Sequence, residues 1–243
     1  MPTFQNTTIE IRDAGPKMAL WGIGSTENHG ETLPPGTDIL LLEGILNEVR
    51  RHTGESSYIV PTMPFGTSYE RFGTIGTINL QYPTLKQVIR DVVESLYDQK
   101  IREVAIINGH GSIGGSKVTC EGNEIVKTAV RQLNYDHPNF QAIWVQPFSE
   151  AGEELCKEFS SQQQDIIEIA ILKHLLSTDL FSRKEPESDG GFISFPFLGL
   201  DDRRILSESS VDIDVGRRAV SIVGKKTANY INETLAKLRE IKN

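Results

Sequence analysis

Short apolar runs alternate with longer amphipathic segments along this chain of 243 residues. The apolar runs predict strands at Met18–Ile23, 58–60, 104–107 and 140–145, the second of them ending before Pro61. Segments with apolar residues at helical spacing predict helices at 39–54, 84–99, 117–133, 166–176 and 215–241. Strands that alternate with helices predict an α/β fold with a mainly parallel sheet. No linker is visible, so we expect a single domain over residues 1–243, with an irregular segment at 181–212.

Polar clusters follow three of the predicted strands. Residues 25–29 follow the first strand, residues 108–111 follow the third, and residues 146–148 follow the fourth. Ligands of open α/β sheets bind outside the carboxyl ends of the strands, which share one edge of a parallel sheet. The clusters therefore predict a binding site at that edge.

Composition narrows the classes of partner. The formal net charge is −8, whereas binding to nucleic acid or to an anionic membrane needs a basic face. No apolar run reaches the length of a membrane span, and the first residues lack the apolar region of a signal peptide. Cys120 and Cys156 lack C-x-x-C spacing. We expect a cytoplasmic protein that acts on a small molecule and binds neither nucleic acid nor membrane.

The first polar cluster holds candidate metal ligands. Glu27 and His29 are two residues apart, a spacing at which side chains of an extended chain point the same way. With Asp38 they would provide mixed oxygen and nitrogen ligands, which suit zinc, manganese or iron. The alternative is a surface loop in which Asp38 is only the N-cap of the following helix.

The second cluster, at residues 108–115, contains His110 and four glycines. Glycines let the backbone turn sharply and approach a ligand closely. A phosphate-binding loop is the alternative, but the G-x-G-x-x-G and G-x-x-x-x-G-K-[ST] patterns are missing. His110 at a strand end is therefore a candidate ligand, while the remaining histidines are interpreted as structural: His52, His137 and His174.

Glu168 is the third candidate ligand. It lies among isoleucines in a predicted helix, where a buried carboxylate is costly without a cation. The alternative places Glu168 on the solvent side of that helix.

Several motifs together resemble those of the creatininase family of metal-dependent amidohydrolases. They occur in the family's order, and the resemblance spans roughly residues 20–172. The motifs are E-N-H-G at 27–30, L-P at 33–34, G-T-D at 36–38, G-x-S-x-E at 66–70 followed by G-T at 76–77, and N-G-H-G at 108–111.

The resemblance implies a three-layer α/β/α fold, a homo-oligomer that is often a hexamer, and two divalent metal ions per chain. It implies that Glu27 and His110 hold one ion, that His29 holds the other, and that Asp38 bridges both. Relatives differ in the last ligand. Some place a glutamate where this chain has Ser112, and others use a helix glutamate that matches Glu168.

Three histidines expected from the resemblance are replaced here, by Thr32, Arg71 and Gln163. Gln163 stands where relatives have a histidine thought to carry a proton, and an amide cannot do so. Glu31 or Glu70 is a candidate to take over proton transfer. Arg71 suits an anionic or polyhydroxylated substrate. The remaining candidates for substrate contact are Ser68, Tyr69, Gly111 and Ser112.

The expected function is hydrolysis of a carbon–nitrogen bond in a small cyclic amide or formamide other than creatinine. One alternative is a family branch that opens cyclic diketones in inositol breakdown. Another is the deformylation of a ribosylaminopyrimidine phosphate. A different class is a metal-binding protein without catalysis.

Overall fold

A parallel sheet forms the centre of the computed structural model, which describes residues 2–30, 33–53, 57–110, 121–159, 164–176 and 212–242. Within these residues the order of the strands is β2-β1-β3-β4. β1 pairs with a strand on each side, and all six of its residues are buried. The strands are β1 (Met18–Ile23), β2 (Ser57–Met63), β3 (Glu103–Asn108) and β4 (Gln141–Val145).

Helices connect the strands, as the alternating pattern predicts. A short 3₁₀ helix, Tyr69–Arg71, lies in the long connection between β2 and α3. The α-helices are α1 (Thr8–Ala14), α2 (Thr37–His52), α3 (Tyr82–Asp98), α4 (Glu121–Asp136), α5 (Pro147–Phe159), α6 (Gln164–Leu176) and α7 (Ile213–Lys242).

Helices cover both faces of the sheet. Successive residues of a strand point to opposite faces, so each strand contributes side chains to both cores. In β1, Met18 and Leu20 join a core with α2, α5, α6 and α7. Ala19 and Trp21 join a second core with α3 and α4. The expected three-layer α/β/α architecture is thus confirmed. None of the described helices is both long and apolar enough to cross a membrane.

The predicted end of the second strand before Pro61 is wrong. β2 continues through Pro61 to Met63. It is an edge strand, and its register with β1 shifts after the pair Trp21–Val60, so that Ile23 pairs with Met63. Proline lacks an N–H group, and edge strands and bulges are the places in a sheet that tolerate this.

Two helices were not expected from the apolar pattern. α1 begins with a capping box, in which Thr7 and Glu10 each bond to the other's backbone, and it buries no side chain. α5 begins at Pro147, directly after the polar end of β4, and buries Phe148 and Leu155. Of the helix predicted at 117–133, the structure describes the part from Glu121 onward.

Candidate metal centre

The carboxyl ends of β1, β2 and β3 bring polar side chains together beside the first turn of α2. Glu27 and His29 follow β1, and His110 follows β3 after one intervening residue. Asp38 is the second residue of α2. The connection that follows β2 carries Glu70. The predicted meeting of the β1 and β3 clusters at one edge is therefore what the structure shows.

The segment that carries Glu27 and His29 is fixed through Asn28. The N–H of Asn28 donates to Oγ1 of Thr77 at 2.9 Å, and its side-chain amide donates to the carbonyl of Ile75 at 3.1 Å. Its carbonyl Oδ1 accepts from the N–H of Gly30 at 2.8 Å. Gly30 has φ 78°, a conformation that glycine adopts without strain. The G-T motif at 76–77 thus anchors the E-N-H-G motif.

Nδ1 of His29 donates to the main-chain carbonyl of Glu27 at 3.0 Å. This bond assigns the proton of the neutral ring to Nδ1, and it leaves the lone pair on Nε2. Nε2 lies 3.2 Å from Oδ1 of Asp38 and 3.9 Å from Oε1 of Glu27. His29 therefore presents its free nitrogen to two carboxylates, as a metal-binding imidazole does.

Asp38 does not cap its helix. The N-cap position of α2 is Gly36, which makes no side-chain cap bond. The Asp38 carboxylate is buried and lies between the two imidazoles, with Oδ2 at 3.0 Å from Nδ1 of His110. Its place in the first turn also puts its negative charge at the positive end of the helix dipole. The structure therefore supports the ligand interpretation over the capping one.

The two residues that precede His110 in the chain allow its side chain to reach Asp38. The Asn108 side chain bonds to both the N–H and the carbonyl of His110, the first at 3.1 Å. A Cβ atom on Gly109 would meet Cβ of Leu42 at 2.8 Å and the carbonyl oxygen of Asp38 at 3.0 Å. The N-G-H motif therefore orients the histidine with its asparagine and allows close approach to α2 with its glycine.

Glu27 spans the same two imidazoles. Its side chain is only 9% exposed, with Oε1 toward His29 and Oε2 at 3.4 Å from Nδ1 of His110. Oε2 is buried and accepts no hydrogen bond from the residues that the structure describes. A buried carboxylate oxygen without a donor is costly unless a cation lies near it. This oxygen is the observation that best fits a metal ion.

The carboxylates determine the protonation of the two imidazoles. Burial lowers the pKa of His29, but the hydrogen bond and charge of Asp38, with Glu27, outweigh it and raise this pKa to about 9. Burial likewise lowers the pKa of His110, and Asp38, Glu27 and Glu70 raise it to about 9. For Asp38, burial raises the pKa, but the hydrogen bonds from His110 and His29 outweigh this effect, so the pKa is lowered overall. The site thus favours positive charge, which a divalent cation supplies once the imidazoles lose their protons.

Two groups of side chains in the described part of the chain have the geometry to hold an ion. In each group, one ligand atom per residue lies within 4.8 Å of the others. The first group is Glu27, His29 and Asp38, and the second is Glu27, Glu70 and His110. The donor set of carboxylates and imidazoles fits zinc, manganese or iron.

The connection between β2 and α3 holds the other candidates that the structure describes. Ser68 is fully buried, and its hydroxyl pairs with that of Ser25 at 2.5 Å, which ties the β2 connection to the β1 loop. Tyr69 is partly exposed and donates to Oε1 of Gln81 at 2.8 Å. Arg71 is partly buried at the end of the same 3₁₀ helix. Their contacts with substrate stay predictions.

Other predicted site residues are not brought together here. Glu168 is partly buried on α6 and belongs to neither group of convergent ligand atoms. Its role as a ligand stays a prediction. Four candidates lie outside the described residues: Glu31, Gly111, Ser112 and Gln163.

The sequence interpretation missed several residues that build the centre. Asn28, Thr77 and Ser25 act through hydrogen bonds that connect distant loops. Sequence motifs include Asn28 and Thr77, but none of the motifs includes Ser25. The sequence motifs make Glu70 a candidate for proton transfer, and only the structure shows its approach to Glu27 and His110. That approach depends on the path of the β2–α3 connection, which no local pattern specifies.

A family model described as creatininase (creatinine amidohydrolase) matches residues 4–176. Among curated proteins, 3-dehydro-scyllo-inosose hydrolase of Thermotoga maritima is 28% identical over 89 residues, which are 37% of this chain and 28% of that protein. Mycofactocin precursor peptide peptidase of Mycolicibacterium smegmatis is 28% identical over 124 residues, 49% of this chain and 46% of that protein. The matched regions thus span less than half of either relative.

Solved structures of creatininase share the fold. A creatinine amidohydrolase (creatininase) structure has a TM-score of 0.67 at 17% identity, covering 96% of this chain and 97% of its own. A tryptophan-to-phenylalanine mutant of creatininase has a TM-score of 0.69 at 18% identity, covering 96% and 98%. At this identity the likeness establishes the architecture alone.

Proposed function

Because this chain belongs to the creatininase family, we propose that it is a metal-dependent hydrolase that cleaves a carbon–nitrogen bond in a small cyclic amide or formamide. The observation that carries the proposal is the convergence of Glu27, His29, Asp38 and His110 at the carboxyl edge of the sheet. Carboxylates and imidazoles buried together, with a carboxylate oxygen lacking a donor, are costly without a cation.

In this proposal the four residues hold two divalent ions. Asp38 would serve both ions. Its Oδ1 faces Nε2 of His29, and its Oδ2 accepts a hydrogen bond from Nδ1 of His110, which leaves Nε2 of that ring for the second ion. Solved creatininases include a manganese form and a zinc–zinc form. When bound, such ions lower the pKa of a water molecule toward neutrality and polarise a substrate carbonyl.

The surrounding residues would bind and orient the substrate. Arg71, on the 3₁₀ helix next to Glu70, is suited to a phosphate, a carboxylate or neighbouring hydroxyl groups. The main-chain N–H groups of Gly111 and Ser112 are the candidates to hold a developing oxyanion. Proton delivery to the leaving nitrogen falls to Glu31 or Glu70, since Gln163 has no titratable proton.

A second candidate is the opening of a cyclic diketone. The replacement of the expected histidine by Gln163 favours it, because a carbon leaving group does not need a proton delivered to nitrogen. The similarity to 3-dehydro-scyllo-inosose hydrolase also supports it. The two candidates share the metal centre and differ in the bond that breaks.

A substrate panel tests the proposal. The chelated protein would be reloaded with zinc, manganese or iron and assayed on cyclic amides, formamides including a ribosylaminopyrimidine phosphate, short peptides and cyclic diketones. The matched control is the double variant His29→Asn/His110→Asn, which retains the carboxylates and loses both imidazoles. We expect metal-dependent turnover of a cyclic amide or formamide by the wild type alone. Bound metal without turnover of any compound would instead indicate a metal-binding protein.

We also propose that the chain forms a homo-oligomer, with a hexamer as the first candidate. The proposal rests on the family resemblance. Light scattering coupled to size-exclusion chromatography measures the assembly directly, and a monomer at micromolar concentration would contradict it.

A further inference from the structure

We propose that Glu70 is a metal ligand and completes a second ion-binding group with Glu27 and His110. This inference rests on the proposed function. It places Glu70 at the ion of Glu27 and His110, while Glu168 remains the predicted last ligand of the ion held by His29. It also leaves proton delivery to Glu31, because a carboxylate bound to an ion has no proton to deliver. One ligand atom each of Glu27, Glu70 and His110 lies within 4.8 Å of the other two. These residues follow three different strands, so the group exists only because the strands end at one edge.

The first argument comes from atoms that lack hydrogen bonds. Oε2 of Glu27 and Nε2 of His110 are buried, and neither has a hydrogen-bond partner among the described residues. Oε1 of Glu70 lies 3.7 Å from Nε2 of His110, too far for a hydrogen bond. Two ligands of one tetrahedral ion, each bonded at about 2.0–2.2 Å, lie roughly 3.3–3.6 Å apart. The separation observed is close to the one that a shared ion requires.

The second argument is electrostatic. The carboxylates of Glu27 and Glu70 approach each other within 4.8 Å. The Glu27 side chain is buried, with only 9% of its surface exposed. Like charges at this distance repel. Water screens part of the repulsion because Glu70 is half exposed, but the burial of Glu27 preserves the rest. A divalent cation held between them converts the repulsion into two favourable contacts. Three carboxylates, those of Glu27, Asp38 and Glu70, would then balance most of the charge of two ions.

The third argument is the placement of the Glu70 backbone. Its neighbour Ser68 is fixed by Ser25 at 2.5 Å and by Oδ1 of Asn79, which accepts from the Ser68 N–H at 2.6 Å. On the same helix, the Tyr69 ring packs on Tyr82 with centroids 4.6 Å apart. The Glu70 side chain itself is 55% exposed, so it has room to move onto an ion. The backbone of Glu70 is therefore held in place, while its carboxylate can adjust its position to bind an ion.

Metal stoichiometry in two matched variants tests the inference. Glu70→Gln and Glu168→Gln each replace one carboxylate by a neutral amide of the same shape. Each chelated protein would be titrated with Co²⁺ followed by its visible absorption, and with Zn²⁺ followed by plasma mass spectrometry. We expect Glu70→Gln to weaken one of two ions by more than about 100-fold, since the loss of residues that merely orient ligands already costs 10–100-fold. Glu168→Gln leaves the group of Glu27, Glu70 and His110 intact, so it is expected to keep the ion of that group at the affinity of the wild type.

Two outcomes would overturn the inference. If Glu70→Gln keeps both ions at the affinity of the wild type, Glu70 is not a ligand, even if activity falls. If Glu168→Gln loses an ion while Glu70→Gln does not, the helix glutamate is the last ligand. A wild type that binds no ion would refute the proposed function itself, which distinguishes the two failures. Glu70 is exposed, so thermal unfolding of the chelated variants is expected to match that of the wild type.

Discussion

Oδ2 of Asp38 lies 3.0 Å from Nδ1 of His110, although 72 residues separate the two in the chain. The first turn of α2 supplies the carboxylate and the end of β3 supplies the imidazole. The other oxygen of the same carboxylate faces His29. One side chain thus links the two loops that carry the E-N-H-G and N-G-H-G motifs.

Replacing Asp38 by asparagine is expected to remove most of both ions. The carboxylate provides an oxygen to each imidazole, so its loss weakens both positions, whereas the loss of either histidine weakens one. Metal content after chelation and reloading measures the effect, with the exposed Asp98→Asn on α3 as the matched control. Full metal content in Asp38→Asn would show that the residue does not serve both ions.

Substitution of His29 or His110 by alanine is expected to abolish most hydrolytic activity and to leave the fold intact. Both residues lie in loops that follow strands, outside the two apolar cores. His52→Ala, at the exposed end of α2, is the control for the loss of an imidazole as such. Circular dichroism checks folding, and retained activity in either variant would place the site elsewhere.

Gly109→Ala tests how the strand end positions His110. The new Cβ would meet Leu42 at 2.8 Å and the carbonyl oxygen of Asp38 at 3.0 Å, so the chain must move away from α2. We expect a loss of about 1–3 kcal/mol in unfolding free energy, together with weaker metal binding. Gly152→Ala is the control, because its Cβ would meet nothing within 4 Å. Equal metal affinity in both variants would contradict the role of the close approach.

The stability of the chelated protein is expected to fall as pH rises from about 6.5 to above 9. The carboxylates raise the pKa of His29 and of His110 to about 9, above the ordinary value of 6.5. A raised pKa in the folded state stabilises the protein fully below the unfolded value and no longer does so above the folded one. Thermal unfolding in a chelating buffer measures this. The double variant His29→Asn/His110→Asn should lack most of the slope, and an equal slope in the two proteins would refute the assignment.

Gln163→His tests which bond the protein breaks. This prediction rests on the sequence motif, since Gln163 is outside the described residues. Restoring a titratable imidazole is expected to increase amide hydrolysis if nitrogen is the leaving atom. A loss on the natural substrate with no gain on amides would favour the opening of a cyclic diketone.

Much of this architecture could be predicted from local patterns, because apolar runs and helical spacing depend on neighbouring residues. The meeting of Glu27, His29, Asp38 and His110 was predictable as well, since parallel strands end at a common edge. The run of β2 through Pro61 was not, because only the position of β2 at the sheet edge permits it. The approach of Glu70 was not predictable either. It depends on bonds between distant residues, such as Ser25 with Ser68.

The number of divalent ions bound per chain is the most direct test of the metal centre. The chelated wild type would be titrated with zinc and with manganese beside the double variant His29→Asn/His110→Asn, and bound metal would be measured by plasma mass spectrometry. We predict two ions per wild-type chain and neither of them at comparable affinity in the double variant. A wild type that binds no ion, or that binds the same number as the double variant, would contradict the assignment of these residues as a metal centre.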